Sequence, residues 1–397
     1  MSSTDIFFIL LCLLNLQACV FLILVGYYRY QIFLNVFSVT GFAAVFYQLV
    51  LPIMGYLGRP LYGLSTRGAD WLDFLLIGYL YLFGLGFSLF LPKIIPRIKI
   101  LRRKVRNRRA FILITLIFAF TLYQYISTGN LLYVRLPILN LSYIILPLLI
   151  LLLWDIMRIR SRYIFLPLAI GILTILGFRS RLAILIAPLV PWQRLPKVAI
   201  GSIFMFLPLI FFGFEHARRY GTNFDFFIFF NSIFNSDQSV LSYITNQGEA
   251  SVSVFSALII TADLRFDSWI KPYTYALQKV LGLVSETPEL NADVLSVIPS
   301  EFATSGFAFL HLVELYLQGG ILFVVVGAIG YGIFFRILNG IIISAFGGDL
   351  QNRLLGFFGI FFGFYSYSRG HFFQVSSEFV LLWITLFLCS KYMRGSG

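Results

Sequence analysis

Glu301-Phe-Ala-Thr-Ser-Gly306-Phe-Ala-Phe-Leu-His311-Leu-Val-Glu314-Leu-Tyr316-Leu-Gln-Gly319-Gly320 closes the longest polar interval of the chain and runs directly into an apolar segment. His311 and Glu314 stand three apart, so a helix places them on one face and within reach of each other. A polar pair on an otherwise apolar helix, where a loop meets a span, has two readings. It is a hydrogen-bonded pair that fastens the loop to the bundle, or it is part of a site.

Working outward, the surroundings of this stretch are those of a membrane. Apolar residues make up 59% of the 397 and charged residues 12%, with a mean hydropathy of +0.88; soluble domains carry about 25% charge. The 45 Phe and 22 Tyr fall largely in segments long enough to cross about 30 Å of hydrocarbon. The fold class that follows is all-α, a polytopic transmembrane helical bundle of about 11 spans. The first segment has no basic leader and no Ala-x-Ala site, so it reads as a retained span. Cys12, Cys19 and Cys389 lie in the first and last apolar segments and form no readable disulfide framework.

The sequence divides into residues 1–214 with eight spans, a large outer loop over 215–304, and residues 305–397 with three more. The first two spans cover about 5–25 and 32–57, and the third ends near 91. Lys93, Arg97, Lys99, Arg102, Arg103, Lys104, Arg106, Arg108 and Arg109 follow without one acid, which marks an inner loop. A fourth span covers about 110–126, a fifth ends near Asp155, and a sixth covers about 163–178. The run 182–192 is short, contains Pro188 and reads as a broken or partly re-entrant element, with the eighth span at about 198–214. The ninth runs from Gly320 to about Arg336, the tenth rises to Tyr367, and the last ends at Lys391 and Arg394. Within the outer loop, Ser251 to Asp263 is weakly amphipathic, and Ile270 to Leu283 reads as an interfacial helix. Short inner connections hold 19 Lys and Arg and short outer ones six, so the N-terminus is expected outside and the C-terminus inside. The net charge of +13 therefore reports orientation and not nucleic-acid binding.

Some outer charges run against that bias: Arg135, Arg179, Arg181, Arg265, Arg369 and His371. Arginine costs about 2.5–3.5 kcal/mol at the centre of a spanning helix and less where it snorkels to the interface. Arg179-Ser180-Arg181 is hard to explain that way, because residues two apart leave a helix on different faces. Facing inward, two guanidinium forks suit a phosphate or diphosphate, with an internal salt bridge as the alternative. The sequence has no Walker loop, no His-Glu-x-x-His among His216, His311 and His371, and no Gly-x-Ser-x-Gly. Arginines, a histidine and glutamates around an outward cavity suit a substrate that arrives already activated as a lipid-linked phosphate, with no metal and no cofactor.

The Gly306, His311-Leu-Val-Glu314-Leu-Tyr316, Gly319-Gly320 pattern resembles the end of the large periplasmic loop of the O-antigen and oligosaccharide repeat-unit polymerases (Wzy). The basic third inner loop, the Arg179/Arg181 turn and the late Ser368-Arg369-Gly370 are similar too. The resemblance implies a GT-C-like membrane glycosyltransferase of the bacterial inner membrane with its site facing the periplasm. Donor and acceptor would be undecaprenyl-diphosphate-linked glycans, and the partners a chain-length regulator, a flippase and membrane lipid. It implies diphosphate binding by Arg179, Arg181 and Arg369, with Arg135 and Arg265 as further candidates. His311 would be the base with Glu314 orienting it, or Glu314 or Glu301 the base and His311 a phosphate ligand. His371 and Tyr316 would contact other parts of the substrate. The ligases that move O-antigen onto lipid A core look alike at this level, and a lipid-linked glycan transporter is the non-enzyme alternative. Single cysteines introduced in 93–109 are expected to react with impermeant maleimide only from the inner side, and those in 215–304 only from the outer side.

Overall fold

The computed structural model describes residues 2–58, 61, 70–92, 142–154, 162–164, 166–170, 179–190, 196, 248–266, 268–270, 273–274, 277–278, 309–346 and 348–369. The basic loop, most of 215–304, and the expected fourth, eighth and eleventh spans lie outside the described residues, so the expected span number belongs to the sequence reading. Among the described residues the regular elements are helices. Among the described residues, four stretches are long and apolar enough to cross a membrane: Ser3–Tyr30 (α1), Val36–Tyr56 (α2), Trp71–Ser88 (α3) and the first 34 residues of His311–Ala345 (α7).

Local sequence sets the ends of these helices. Ser2 caps α1, its hydroxyl accepting from the Asp5 N–H while the Asp5 carboxylate accepts from the Ser2 N–H. Asn35 caps α2, and Asp70 caps α3 through the Leu72 and Asp73 amides. Leu13, Leu24 and their exposed neighbours leave one side of α1 apolar and uncovered, as suits a helix facing lipid. The remaining described helices are Ser142–Leu153 (α4), Arg179–Ile186 (α5), Gly248–Thr261 (α6) and Gly348–Ile360 (α8), which continues through a π turn, Phe361–Ser366, to Arg369. Eight residues give α5 a length of about 12 Å. It stops at a 3₁₀ turn containing Pro188, so this element is broken, as the proline suggests.

Helix α3 packs most extensively on α7, while α2 packs on α1 and α8. The α3–α7 approach depends on small residues: a Cβ on Gly84 would lie 2.9 Å from the Ala328 Cβ, and one on Gly332 would strike Ser88. Two ends of the bundle can be told apart. At one, the Tyr56 hydroxyl donates to Asp5 and the Asp70 N–H donates to Thr261. At the other, Arg29 donates to the Leu89 carbonyl and Arg336 to those of Ser88 and Pro92. These are the carbonyls that a helix C-terminus leaves without an intrahelical donor. Arg336 therefore does not end the ninth span, as the sequence suggested; the helix runs on to Ala345 while the guanidinium reaches sideways to α3.

Two elements correct the sequence reading of the outer segment. Helix α6 is not an amphipathic surface piece, because Val252, Val254, Phe255, Ala257, Ile259 and Ile260 are all buried. Its polar residues serve the interior: Ser253 donates to the Tyr47 carbonyl, and Ser256 accepts from the Leu310 N–H. With Ser251, Ser253 and Ser256 out of solvent along with the apolar residues, this is a buried helix whose hydroxyls serve as internal hydrogen-bonding groups. The second correction is α7, whose backbone breaks at Gly319 and Gly320 (φ +70°, ψ −155°). His311–Gln318 then folds back along the rest of α7, so that Leu315 meets Gly327 and His311 meets Tyr331. The histidine is thereby carried into the bundle instead of lying at its edge. Gly320→Ala is expected to lower stability by about 1–3 kcal/mol, since only glycine adopts this conformation readily. Gly330→Ala, where a Cβ meets nothing within 4 Å, is the neutral control; thermal melts in detergent compare the two.

Candidate functional site

The re-entrant hairpin brings His311 beside Tyr81, ten residues into α3 and so about 15 Å along it. The Tyr81 hydroxyl and His311 Nδ1 share a hydrogen bond of 3.1 Å. Tyr331 meets the imidazole edge to face, with centroids 4.3 Å apart and planes at 90°. On its other side Tyr81 packs 6.0 Å from the ring of Tyr367, whose hydroxyl accepts from Gln48 Nε2. Gln48 lies in the π turn of α2, Val45–Val50, and Tyr367 follows directly on the π turn of α8. Such turns are rare and frequent at functional sites. The two opposed here carry a glutamine and a tyrosine to the same buried point.

Glu314 is 1% exposed and His311 5%, so both acid and imidazole belong to the interior. Tyr273, beyond the end of α6, donates to Gln318 Oε1 at 3.2 Å. Its phenol is held above the ordinary tyrosine range, first by burial and then by the Glu314 carboxylate, against which the Gln318 hydrogen bond works. Glu314 thus faces Tyr273, and Tyr331 also lies within its electrostatic reach. The result is an acid and an imidazole enclosed by three tyrosines, a set that can hold and orient a ligand with hydroxyl or phosphoryl oxygens.

A second cluster covers the hairpin tip. The Arg265 guanidinium lies 3.7 Å over the Tyr316 ring and pairs with Asp263 at 2.6 Å. Tyr316 itself donates to Asp263 at 2.7 Å. The guanidinium sits against Gly320, where a Cβ would come within 3.2 Å of it. The Phe266 N–H donates to the Leu317 carbonyl, tying this turn to the hairpin. Arg265 is therefore committed to holding the fold-back closed, and only its partial exposure leaves it open to an anion from outside.

His311 and Glu314 share the buried centre, with Tyr316 and Arg265 together at the tip. Arg179 and Arg181 open α5, and Arg369 ends the helix that α8 begins; α5 packs against α8. Glu301, Arg135 and His371 lie outside the described residues. The sequence reading missed Tyr81, Gln48, Tyr331, Tyr367 and Tyr273. With 22 tyrosines in the chain, nothing local distinguishes these from packing residues.

The described residues define a class of protein: a helical bundle with membrane-capable helices around a buried polar centre, closed on one side by a re-entrant hairpin. Comparison with protein-family models, with curated proteins and with solved structures finds no match.

An Asp263→Asn/Arg265→Gln double-mutant cycle is expected to give about 1 kcal/mol or less, because Asp263 is 73% exposed and solvent screens the pair. Arg265→Ala also removes the ring contact, worth about 0.5–1 kcal/mol at an exposed site. Chemical denaturation of the solubilised protein measures both.

Proposed function

We propose that this chain is a repeat-unit polymerase acting on undecaprenyl-diphosphate-linked oligosaccharides at the periplasmic face of the bacterial inner membrane. The observation that carries the reading is the re-entrant hairpin. It buries His311 and Glu314 together in a membrane-capable bundle and leaves an arginine, Arg265, over its tip. The motif that resembles the polymerases, from Gly306 to Gly320, is largely the segment that forms this hairpin.

In the reaction a sugar hydroxyl of the incoming lipid-linked repeat unit attacks the anomeric carbon of the growing glycan. The new glycosidic C–O bond forms as the C–O bond to undecaprenyl diphosphate breaks, and the diphosphate leaves with the electron pair. A carboxylate or imidazole accepts the hydroxyl proton. Arg179, Arg181 and Arg369 neutralise charge on the departing diphosphate. No metal is required, because the donor already carries a good leaving group.

One observation favours a second reading. Helix α6 and the His311–Gln318 piece are short helices inside the bundle, and discontinuous helices also line transporter sites. Reconstituted protein given a lipid-linked repeat unit distinguishes the two, since a polymerase makes long glycan and a transporter only moves the unit across the bilayer. Arg179→Ala or Arg181→Ala is expected to reduce long-chain glycan at least about 100-fold, the scale for losing a transition-state charge donor, while membrane insertion stays normal. Gel analysis of lipid-linked glycan in a strain carrying each variant checks this, and polymer of ordinary length would remove diphosphate binding from these residues.

A further inference from the structure

The shared hydrogen bond between Tyr81 and His311 leaves open which atom carries the hydrogen, and the surroundings of Tyr81 decide it. Tyr81 is 2% exposed, and His311 Nδ1 is the one hydrogen-bond partner of its hydroxyl among the described residues. If Nδ1 carried the hydrogen and donated it to the phenol oxygen, the phenol's own hydrogen would be left buried without an acceptor. Such a group costs about 1–3 kcal/mol. If the hydroxyl donates to the Nδ1 lone pair, the phenol is satisfied and the ring hydrogen is on Nε2, which meets no acceptor among the described residues and is left to a ligand. The ring cannot readily turn to exchange its nitrogens, because Tyr331 closes on it at 4.3 Å and the hairpin fixes its backbone.

We propose that His311 serves the site as a hydrogen-bond donor through Nε2–H, and that Tyr81 is the positioning residue that fixes this tautomer. The ligand class is an acceptor oxygen; the reaction proposed above, on which this assignment of ligand rests, supplies one in the phosphoryl oxygens of the lipid diphosphate. With Nδ1 occupied by the Tyr81 hydroxyl and Nε2 protonated, the imidazole has no lone pair for a substrate proton. Proton acceptance then falls to a carboxylate, and among the described residues Glu314 is the one that shares the buried centre.

The test has a spectroscopic arm and a functional one. Full-length protein labelled with ¹⁵N-histidine in micelles, with the His311 signals identified by their loss in His311→Gln, is expected to show a pyridine-like Nδ1 and a pyrrole-like Nε2. Tyr81→Phe is expected to mix the two tautomers. A pyrrole-like Nδ1 in the wild-type protein overturns the proposal. In polymer formation from a lipid-linked repeat unit, His311→Gln retains an N–H donor and is expected to stay within about tenfold of wild type. His311→Ala is expected to lose about 100- to 1,000-fold, the range for losing one preorganised donor. A glutamine variant as inactive as the alanine variant overturns the donor role. The nitrogen spectrum needs no substrate, so a wild-type protein with the expected spectrum that makes no polymer overturns the reaction and leaves the tautomer standing.

Discussion

The fold-back at Gly319–Gly320 is the constraint on which the interior depends. Within a bilayer every backbone polar group must find a partner in the protein, so a helix that starts inside the bundle is tolerated only where something receives its free amides. Here Ser256 of α6 accepts from the Leu310 N–H, and Leu310 accepts from Val313. The turn after α6 acts in the same way at the Leu317 carbonyl, which accepts from Phe266. The hairpin and α6 are therefore one unit. The Leu310 amide at the start of the hairpin finds its partner on α6, and a glycine with positive φ, Gly320, is what lets the chain reverse between His311–Gln318 and the rest of α7.

That unit explains how a membrane-type protein can keep so many polar groups in its middle. Asn15 spans α1 and α3, donating to the Leu11 and Leu75 carbonyls at 2.9 Å each. Gln48 reaches Tyr367, and Tyr81 reaches His311. In a medium of low dielectric such bonds are strong when made and costly when missing, so they select one arrangement of the helices. The two π turns bring Gln48 and Tyr367 to that arrangement. A site built on paired helices and locked side chains holds its geometry better than one carried on a loop, which is what the proposed glycosyl transfer would need.

The charged residues obey a different economy. Arg29 and Arg336 sit where α3 ends, and their guanidinium groups take up carbonyls that water or a further helical turn would otherwise satisfy. Arg265 holds the hairpin tip from outside, between an acid and an aromatic face. The first two need no substrate to account for them. The third is placed where holding the fold and meeting an anion are compatible, because its partner Asp263 is a mostly exposed group that can exchange with solvent ions.

Composition and hydropathy by themselves determined the helical class, the span ends near 57 and 91, and the break at Pro188, while the first helix runs on to Tyr30, beyond the expected end near 25. Those features are local: apolar length, caps, a proline and a dense basic run are written in neighbouring residues. Only the tertiary structure decided that α6 is buried, that the ninth span outruns Arg336, and that His311 answers to Tyr81, which is 230 positions away. A sequence window cannot carry these facts. A tyrosine in a span looks the same whether it packs or donates, and a short helix of apolar residues and serines looks the same in a loop as in a core. What separates them is the partner that another part of the chain brings, and here a reversal at two glycines delivers it.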